Sequence, residues 1–207
     1  MFSFPKTIYP ITDTRISGLS HAEQVTRLIA GGASLMQLRE KHASPREFFA
    51  DAQNALADAH SHGAQIIIND RVDLAIALGA DGVHLGQADL PVEAARRLLG
   101  DDAIIGFSVH HIEQAKRALE MPIDYLALGP IFPTTTKQNP DPVVGLAGMR
   151  QVREIAGDLP LVGIGGIRAD NINEVLSAGA DAVALISSLL QDPSQITARL
   201  QTLISTS

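Results

Sequence analysis

Gln65-Ile66-Ile67-Ile68-Asn69 is followed by a helical segment that closes on Leu78-Gly79-Ala80-Asp81, and then by Gly82-Val83-His84-Leu85. A short β-branched run, a helix ended by a left-handed glycine and a second apolar run make one strand–helix–strand unit. The closing phrase recurs as Ala30-Gly31-Gly32-Ala33 and as Ala178-Gly179-Ala180-Asp181-Ala182. Outward from this unit, apolar runs stand at 7–12, 34–39, 65–69, 82–85, 103–108, 124–129, 160–163 and 182–186. Helical spacing fills the intervals: Ala22, Val25, Leu28 and Ile29 are three or four apart, as are Val92, Ala95, Leu98 and Leu99. Strands separated by helices predict parallel pairing with right-handed crossovers. The 207 residues shared among eight units leave about 26 each, which is compact but sufficient for a closed barrel. The expected class is α/β, a single-domain (β/α)8 TIM barrel over residues 1–207. The rival doubly wound sheet would more often show an uneven strand series.

Composition narrows the function. Hydrophobic residues at 45% and charged residues at 19% are globular values, which exclude wholesale disorder. Sixteen Lys+Arg against 23 Asp+Glu give a net charge of −7, which argues against a nucleic-acid partner. The absence of cysteine excludes disulfides, thiolate metal sites and a cysteine nucleophile. No apolar run approaches the ~20 residues of a membrane span, and Met1-Phe2-Ser3-Phe4-Pro5-Lys6 lacks a signal-peptide core. A cytoplasmic protein without a membrane partner is expected. Oligomeric state stays open, a homodimer included.

A barrel enzyme works at the carboxyl ends of its strands. Those ends are rich in polar groups that played no part in placing the strands. Gln37, Arg39 and Lys41 are spaced by two, which puts all three on one strand face. Without a sheet edge, an amide and two cations on one face point to an anion site rather than a solvated edge. Asp70 and Asp89 follow adjacent strands and are expected either to converge or to cap the helices after them. Convergence beside Arg39, Lys41 and Lys137 suits Mg2+ held with a phosphorylated substrate. Gly163-Ile164-Gly165-Gly166 and Ile186-Ser187-Ser188 follow strands seven and eight, where barrels often cradle phosphate with backbone N–H groups. The glycines match neither a dinucleotide fingerprint nor a P-loop. Thr134-Thr135-Thr136-Lys137 adds hydroxyls and a cation on the loop after strand six. His60 and His62 make a poor metal pair, and His21 and His42 read as surface or cap residues. His84 is open between a pocket and a core role, and His110 between an acid/base and a helix-end role. His111 receives no role. Together these residues describe two anion sites on one rim, one fit for pyrophosphate and one for a monophosphate.

On these pieces the sequence resembles the thiamine-phosphate synthase family. The resemblance runs from Tyr9-Pro10-Ile11-Thr12-Asp13 to Ile186-Ser187. It includes Gln37-Leu38-Arg39-Glu40-Lys41, Asn69-Asp70-Arg71, His84-Leu85-Gly86-Gln87-Ala88-Asp89, the Thr134–Lys137 run and Gly163-Ile164-Gly165-Gly166-Ile167. It implies a transferase that joins 4-amino-2-methyl-5-hydroxymethylpyrimidine diphosphate to 4-methyl-5-(2-hydroxyethyl)thiazole phosphate. The products are thiamine monophosphate and pyrophosphate, by a Mg2+-assisted dissociative substitution. By the same resemblance Gln37, Arg39, Lys41, Asn69, Ser108 and Lys137 handle the pyrimidine diphosphate, with Arg39, Lys41, Ser108 and Lys137 counted as catalytic. Asp70 and Asp89 hold Mg2+, and Thr134, Thr135, Thr136, Gly166, Ile186 and Ser187 bind the thiazole phosphate. The family commonly has Pro where this chain has Thr135. Two other readings remain: a thiazole tautomerase using His110, and a catalytically silent thiazole-phosphate-binding regulator. The tautomerase would give Gln37, Lys41, Asp70 and Asp89 no task, and silence would predict decay of the metal and cation positions.

Overall fold

The computed structural model describes residues 2–134 and 141–206. Eight strands form a closed, all-parallel barrel in chain order. They are β1 (Ile8–Thr12), β2 (Leu35–Leu38), β3 (Gln65–Asn69), β4 (Gly82–Leu85), β5 (Ile104–Val109), β6 (Tyr125–Leu128), β7 (Leu161–Ile164) and β8 (Ala182–Leu185). Between them run α1 (Thr14–Ser17) and α2 (His21–Ala30), then α3 (Pro45–Ser61), α4 (Val72–Leu78), α5 (Val92–Leu99) and α6 (Ile112–Ala118). α7 (Gly145–Ala156) and α8 (Ile172–Ser177) follow, and α9 (Ser187–Leu190) and α10 (Ile196–Thr206) come after the last strand. The expected barrel is therefore present, with strand ends shifted by at most one residue.

The strands read as continuous apolar runs because both of their faces are covered. In β3, Ile66 and Ile68 pack outward under the helices, while Ile67 points into the barrel with Tyr9, Tyr125 and Val162. Phe2 and Phe4 stop the amino-terminal end: Phe4 lies 5.4 Å from Tyr9 and 5.1 Å from Tyr125 between ring centroids. The opposite end is left as the only mouth of the barrel among the described residues.

The recurring phrase has two physical parts. Gly79 ends α4 at φ 65° and Gly179 stands at φ 108°, the conformation glycine adopts without a Cβ penalty. The aspartates then tie neighbouring strands: Asp81 accepts the Ile66 N–H at 2.8 Å, and Asp181 accepts the Leu161 N–H at 2.7 Å. Asp124 does the same for Ile105 at 2.8 Å. In Ala30-Gly31-Gly32-Ala33 it is Gly32, at φ 96°, that turns left-handed; Gly31 stays near helical at −81°. Serines cap α2 and α3 in reciprocal boxes, Ser20 with Glu23 and Ser44 with Glu47. One residue assigned to an apolar helix stripe faces the other way: Leu98 is 60% exposed, whereas Val92 and Ala95 are buried.

Candidate active site

The carboxyl ends of the strands surround one cavity of about 550 Å³. Every described residue to which the resemblance gave a site role lies on its wall: Gln37, Arg39, Lys41, Asn69, Asp70, Asp89, Ser108, Thr134, Gly166, Ile186 and Ser187. Thr135, Thr136 and Lys137 lie outside the described residues.

β2 ends at Leu38, so the spacing by two does not arise from one continuous strand face. Gln37 is within the strand and Arg39 and Lys41 follow it, yet all three reach the cavity. The turn after β2 is held by buried polar contacts. Arg39 donates to Asp13 at 2.5 Å, and Asp13 also accepts the N–H groups of Arg15 and Ile16. Glu40 turns outward. Burial works to raise its pKa, but hydrogen bonds from Thr14 Oγ1 and the N–H groups of Ala43 and His42 bring it down to about 2. His21 is buried against the same group, 3.5 Å from Glu40, with Nδ1 2.7 Å from Thr12 Oγ1. Its reading as a surface or cap residue was wrong. Phe48 of α3 packs against its ring, and only its backbone N–H, bonded to Asp51, behaves as a helix-end group.

Asp70 and Asp89 converge. Neither caps a helix: Arg71 and Pro91 precede α4 and α5, with no side-chain cap bond at either. Lys41 Nζ donates to Asp70 Oδ2, and Asp89 Oδ2 accepts the Gly86 N–H at 2.7 Å. Burial and then the charge of Asp70 push the Asp89 carboxyl upward, against the pull of the Gly86 N–H and Lys41. A carboxylate whose ionisation is opposed by burial and by a neighbouring carboxylate marks a site in want of a cation. Among the described residues no third acid or histidine joins them. Such a sparse set fits Mg2+, which takes one or two carboxylates and fills its octahedron with water and phosphate oxygens. Asp70 is also the one described non-glycine at positive φ, 62°, a region that Asp tolerates better than most residues.

Across the mouth, Gly165 and Gly166 stand at φ 94° and 68°. Anion approach was the expected reason for these glycines, but packing supplies another. A Cβ at Gly165 would lie 2.7 Å from Pro130 Cβ, and one at Gly166 2.6 Å from the Pro133 carbonyl. The turn after β7 thus presses on the segment that leads from β6 to Thr134.

Three further groups join the wall: His84 and His110, whose roles the sequence left open, and Tyr9, to which it gave none. His84 is buried, and that burial depresses its pKa to about 4. It lies between Tyr125 Oη and Ser108 Oγ, at 2.9 and 2.8 Å. Tyr9 lies on the floor, a position that inward alternation along β1 could have flagged. His110 reaches Gly129 O at 2.7 Å and lies 3.5 Å from Asp141, which also lines the cavity. His111, given no role from sequence, caps α6 by accepting the Gln114 N–H. Far from the cavity, His60 and His62 pair separately with Asp81 and Asp58.

Comparison with known proteins places the chain. Residues 8–189 match the model of the thiamine monophosphate synthase family. A thiamine-phosphate synthase of Albidiferax ferrireducens is 48% identical over 201 residues, covering 95% of this chain and 91% of the relative. One of Clostridium novyi is 42% identical over 89% of this chain and 91% of its own. The solved thiamine phosphate pyrophosphorylase of Pyrococcus furiosus superposes with a TM-score of 0.84 at 36% identity, covering 96% of this chain and 95% of the other.

Proposed function

The chain belongs to the thiamine monophosphate synthase family and has thiamine-phosphate synthase activity, that of a transferase; from that premise we propose how its cavity carries the reaction. The substrates are the small molecules already named, the pyrimidine diphosphate and the thiazole phosphate. The observation that carries the assignment is the meeting of Lys41, Asp70 and Asp89, from the ends of β2, β3 and β4, in a cavity whose far wall holds Gly166 and Ser187.

Arg39, Lys41 and Lys137 receive the diphosphate, and Gln37, Asn69 and Ser108 hold the pyrimidine beside it. Asp70 and Asp89 would hold Mg2+. When bound, that ion supplies positive charge at the departing pyrophosphate. The electron-rich aminopyrimidine stabilises a methylene cation, so the C–O bond breaks first and its electron pair leaves with pyrophosphate. The cations of the wall meet the charge as it develops, where it contributes most to rate. The neutral thiazole nitrogen then donates its lone pair to the methylene carbon. Thr134, Thr135, Thr136, Gly166, Ile186 and Ser187 hold the thiazole phosphate for that attack. Ile11, Ala127, Val162, Ile164 and Ala184 give the cavity apolar walls that keep water from the cation. No enzyme nucleophile is needed.

A tautomerase or a silent regulator would leave the Lys41–Asp70–Asp89 cluster without a task. The test is a coupling assay on the purified protein with both synthetic substrates, following thiamine monophosphate and pyrophosphate. One-to-one formation of the two products supports the reading. Isomerisation of the thiazole substrate alone, or binding without turnover, overturns it. We further read the protein as cytoplasmic, with no nucleic-acid partner; no described helix is long and apolar enough to cross a membrane.

A further inference from the structure

Five side chains cross the cavity floor in one hydrogen-bonded line. Gln37 Nε2 donates to Tyr9 Oη at 3.2 Å, and Tyr9 Oη lies 3.1 Å from Tyr125 Oη. Tyr125 Oη lies 2.9 Å from His84 Nδ1, and His84 Nε2 lies 2.8 Å from Ser108 Oγ. The two ends, Gln37 and Ser108, are among the groups given above to the pyrimidine diphosphate. The three residues between them have no part in that assignment.

We infer that Tyr9, Tyr125 and His84 are positioning residues that fix the polarity of both ends, so that Ser108 offers its hydroxyl proton to the cavity and Gln37 its carbonyl oxygen. The catalytic half of this inference rests on the functional reading above.

The direction follows from counting protons. An amide nitrogen only donates, so the Tyr9 oxygen accepts from Gln37. The single proton of Tyr9 has one acceptor among its described partners, the Tyr125 oxygen. The proton of Tyr125 is then left for His84 Nδ1. A ring nitrogen that accepts carries no proton, so the neutral imidazole keeps its proton on Nε2 and donates to Ser108 Oγ. The Ser108 hydroxyl proton, excluded from the line, points to the cavity. Run in reverse, the line would give Tyr9 two donors and leave its own buried proton without a described acceptor, which is the arrangement folded proteins avoid. Tyr125 is itself fixed in place, because the ring fills the space where any side chain at Gly106 would begin.

The experiment is nitrogen NMR on full-length protein labelled at histidine, joined to kinetics. Wild-type His84 is expected to show an unprotonated Nδ1 and a protonated Nε2. Tyr125→Phe keeps the ring but removes the proton that Nδ1 accepts. It should move the ring towards the other tautomer and lower kcat about ten- to a hundredfold, with a smaller change in KM. In a Ser108→Ala background the same change should lower kcat less than about twofold further, because its effect passes through Ser108. A merely structural role would lower both backgrounds equally, and that result overturns the inference. So does a wild-type His84 protonated at Nδ1, a measurement that needs no variant to fold. An inactive wild type with the expected tautomer would overturn the functional reading and the catalytic half of the inference, while leaving the relay itself supported.

Discussion

A Cβ placed on Gly106 would lie 2.0 Å from Cζ of Tyr125 and 2.4 Å from its hydroxyl, and the two residues are paired in register across β5 and β6. The glycine is therefore required by occupancy rather than by backbone conformation. It also holds the Tyr125 hydroxyl at His84. Gly106→Ala overpacks this interlock and should destabilise the fold by about 1–3 kcal/mol. Urea denaturation checks it. Adding Tyr125→Leu, whose shorter side chain vacates the space, should recover part of the loss. Strictly additive losses in the pair would show that the two residues do not compete for one volume.

His84 gives stability a defined dependence on pH. Burial lowers its pKa from 6.5 to about 4 in the folded protein. Between those values the unfolded chain binds a proton that the folded chain refuses. Stability from this group is thus full above pH 6.5, falls as pH drops towards 4, and falls no further below it. The whole loss is on the order of 3 kcal/mol. His21, lowered mainly by its own burial, acts in the same direction. His84→Gln should therefore flatten the pH dependence without abolishing it. Denaturation midpoints measured across this window, with identical slopes for the two proteins, would show that His84 does not carry the effect.

The barrel was legible because each strand announces itself as a short apolar run, several of them β-branched, and the crossovers as helical stripes. The site residues were legible because polar side chains at the carboxyl end of a buried strand have no structural reason to be there; Asp70, Asp89 and Lys41 are of this kind. What stayed hidden depends on contacts distant in sequence. Tyr9 and Tyr125 are 116 residues apart, and each alone reads as an ordinary core aromatic. His21 was misread because its position near a helix start looks exposed, and only the packing of Phe48, 5.2 Å away between ring centroids, encloses it. Gly165 and Gly166 carried a correct location with an incomplete reason, since the contact with Pro130 and Pro133 joins two loops that no local pattern connects.

The loop contact makes a prediction for the thiazole side of the cavity. At φ 68°, with the Pro133 carbonyl 2.6 Å from the would-be Cβ, Gly166 cannot gain even a methyl group without moving its neighbours. Gly166→Ala should displace the segment that carries Thr134. Affinity for the thiazole phosphate should fall about tenfold or more, a loss of at least ~1.4 kcal/mol, while the pyrimidine diphosphate still binds. Titration calorimetry with each substrate separately checks the order, and a greater loss for the pyrimidine diphosphate would reverse the assignment of the two walls.

Asp70 and Asp89 allow function to be separated from folding. Asn is as well suited as Asp to the left-handed backbone at position 70, so Asp70→Asn should leave the turn intact. Asp89 sits in a place where burial and the charge of Asp70 both oppose its ionisation. Removing its charge in the metal-free protein relieves that repulsion, so Asp89→Asn should be at least as stable as wild type without Mg2+. Adding Mg2+ should raise the melting temperature of the wild type, because a ligand that binds only the folded state stabilises it. Neither variant should respond in the same way. Turnover of each at limiting Mg2+ should fall about a hundredfold or more, the scale of losing charge stabilisation at a leaving group. Thermal melts with and without Mg2+, beside steady-state assays, test both halves. Wild-type melting shifts and wild-type rates in the two variants would remove the metal from these carboxylates.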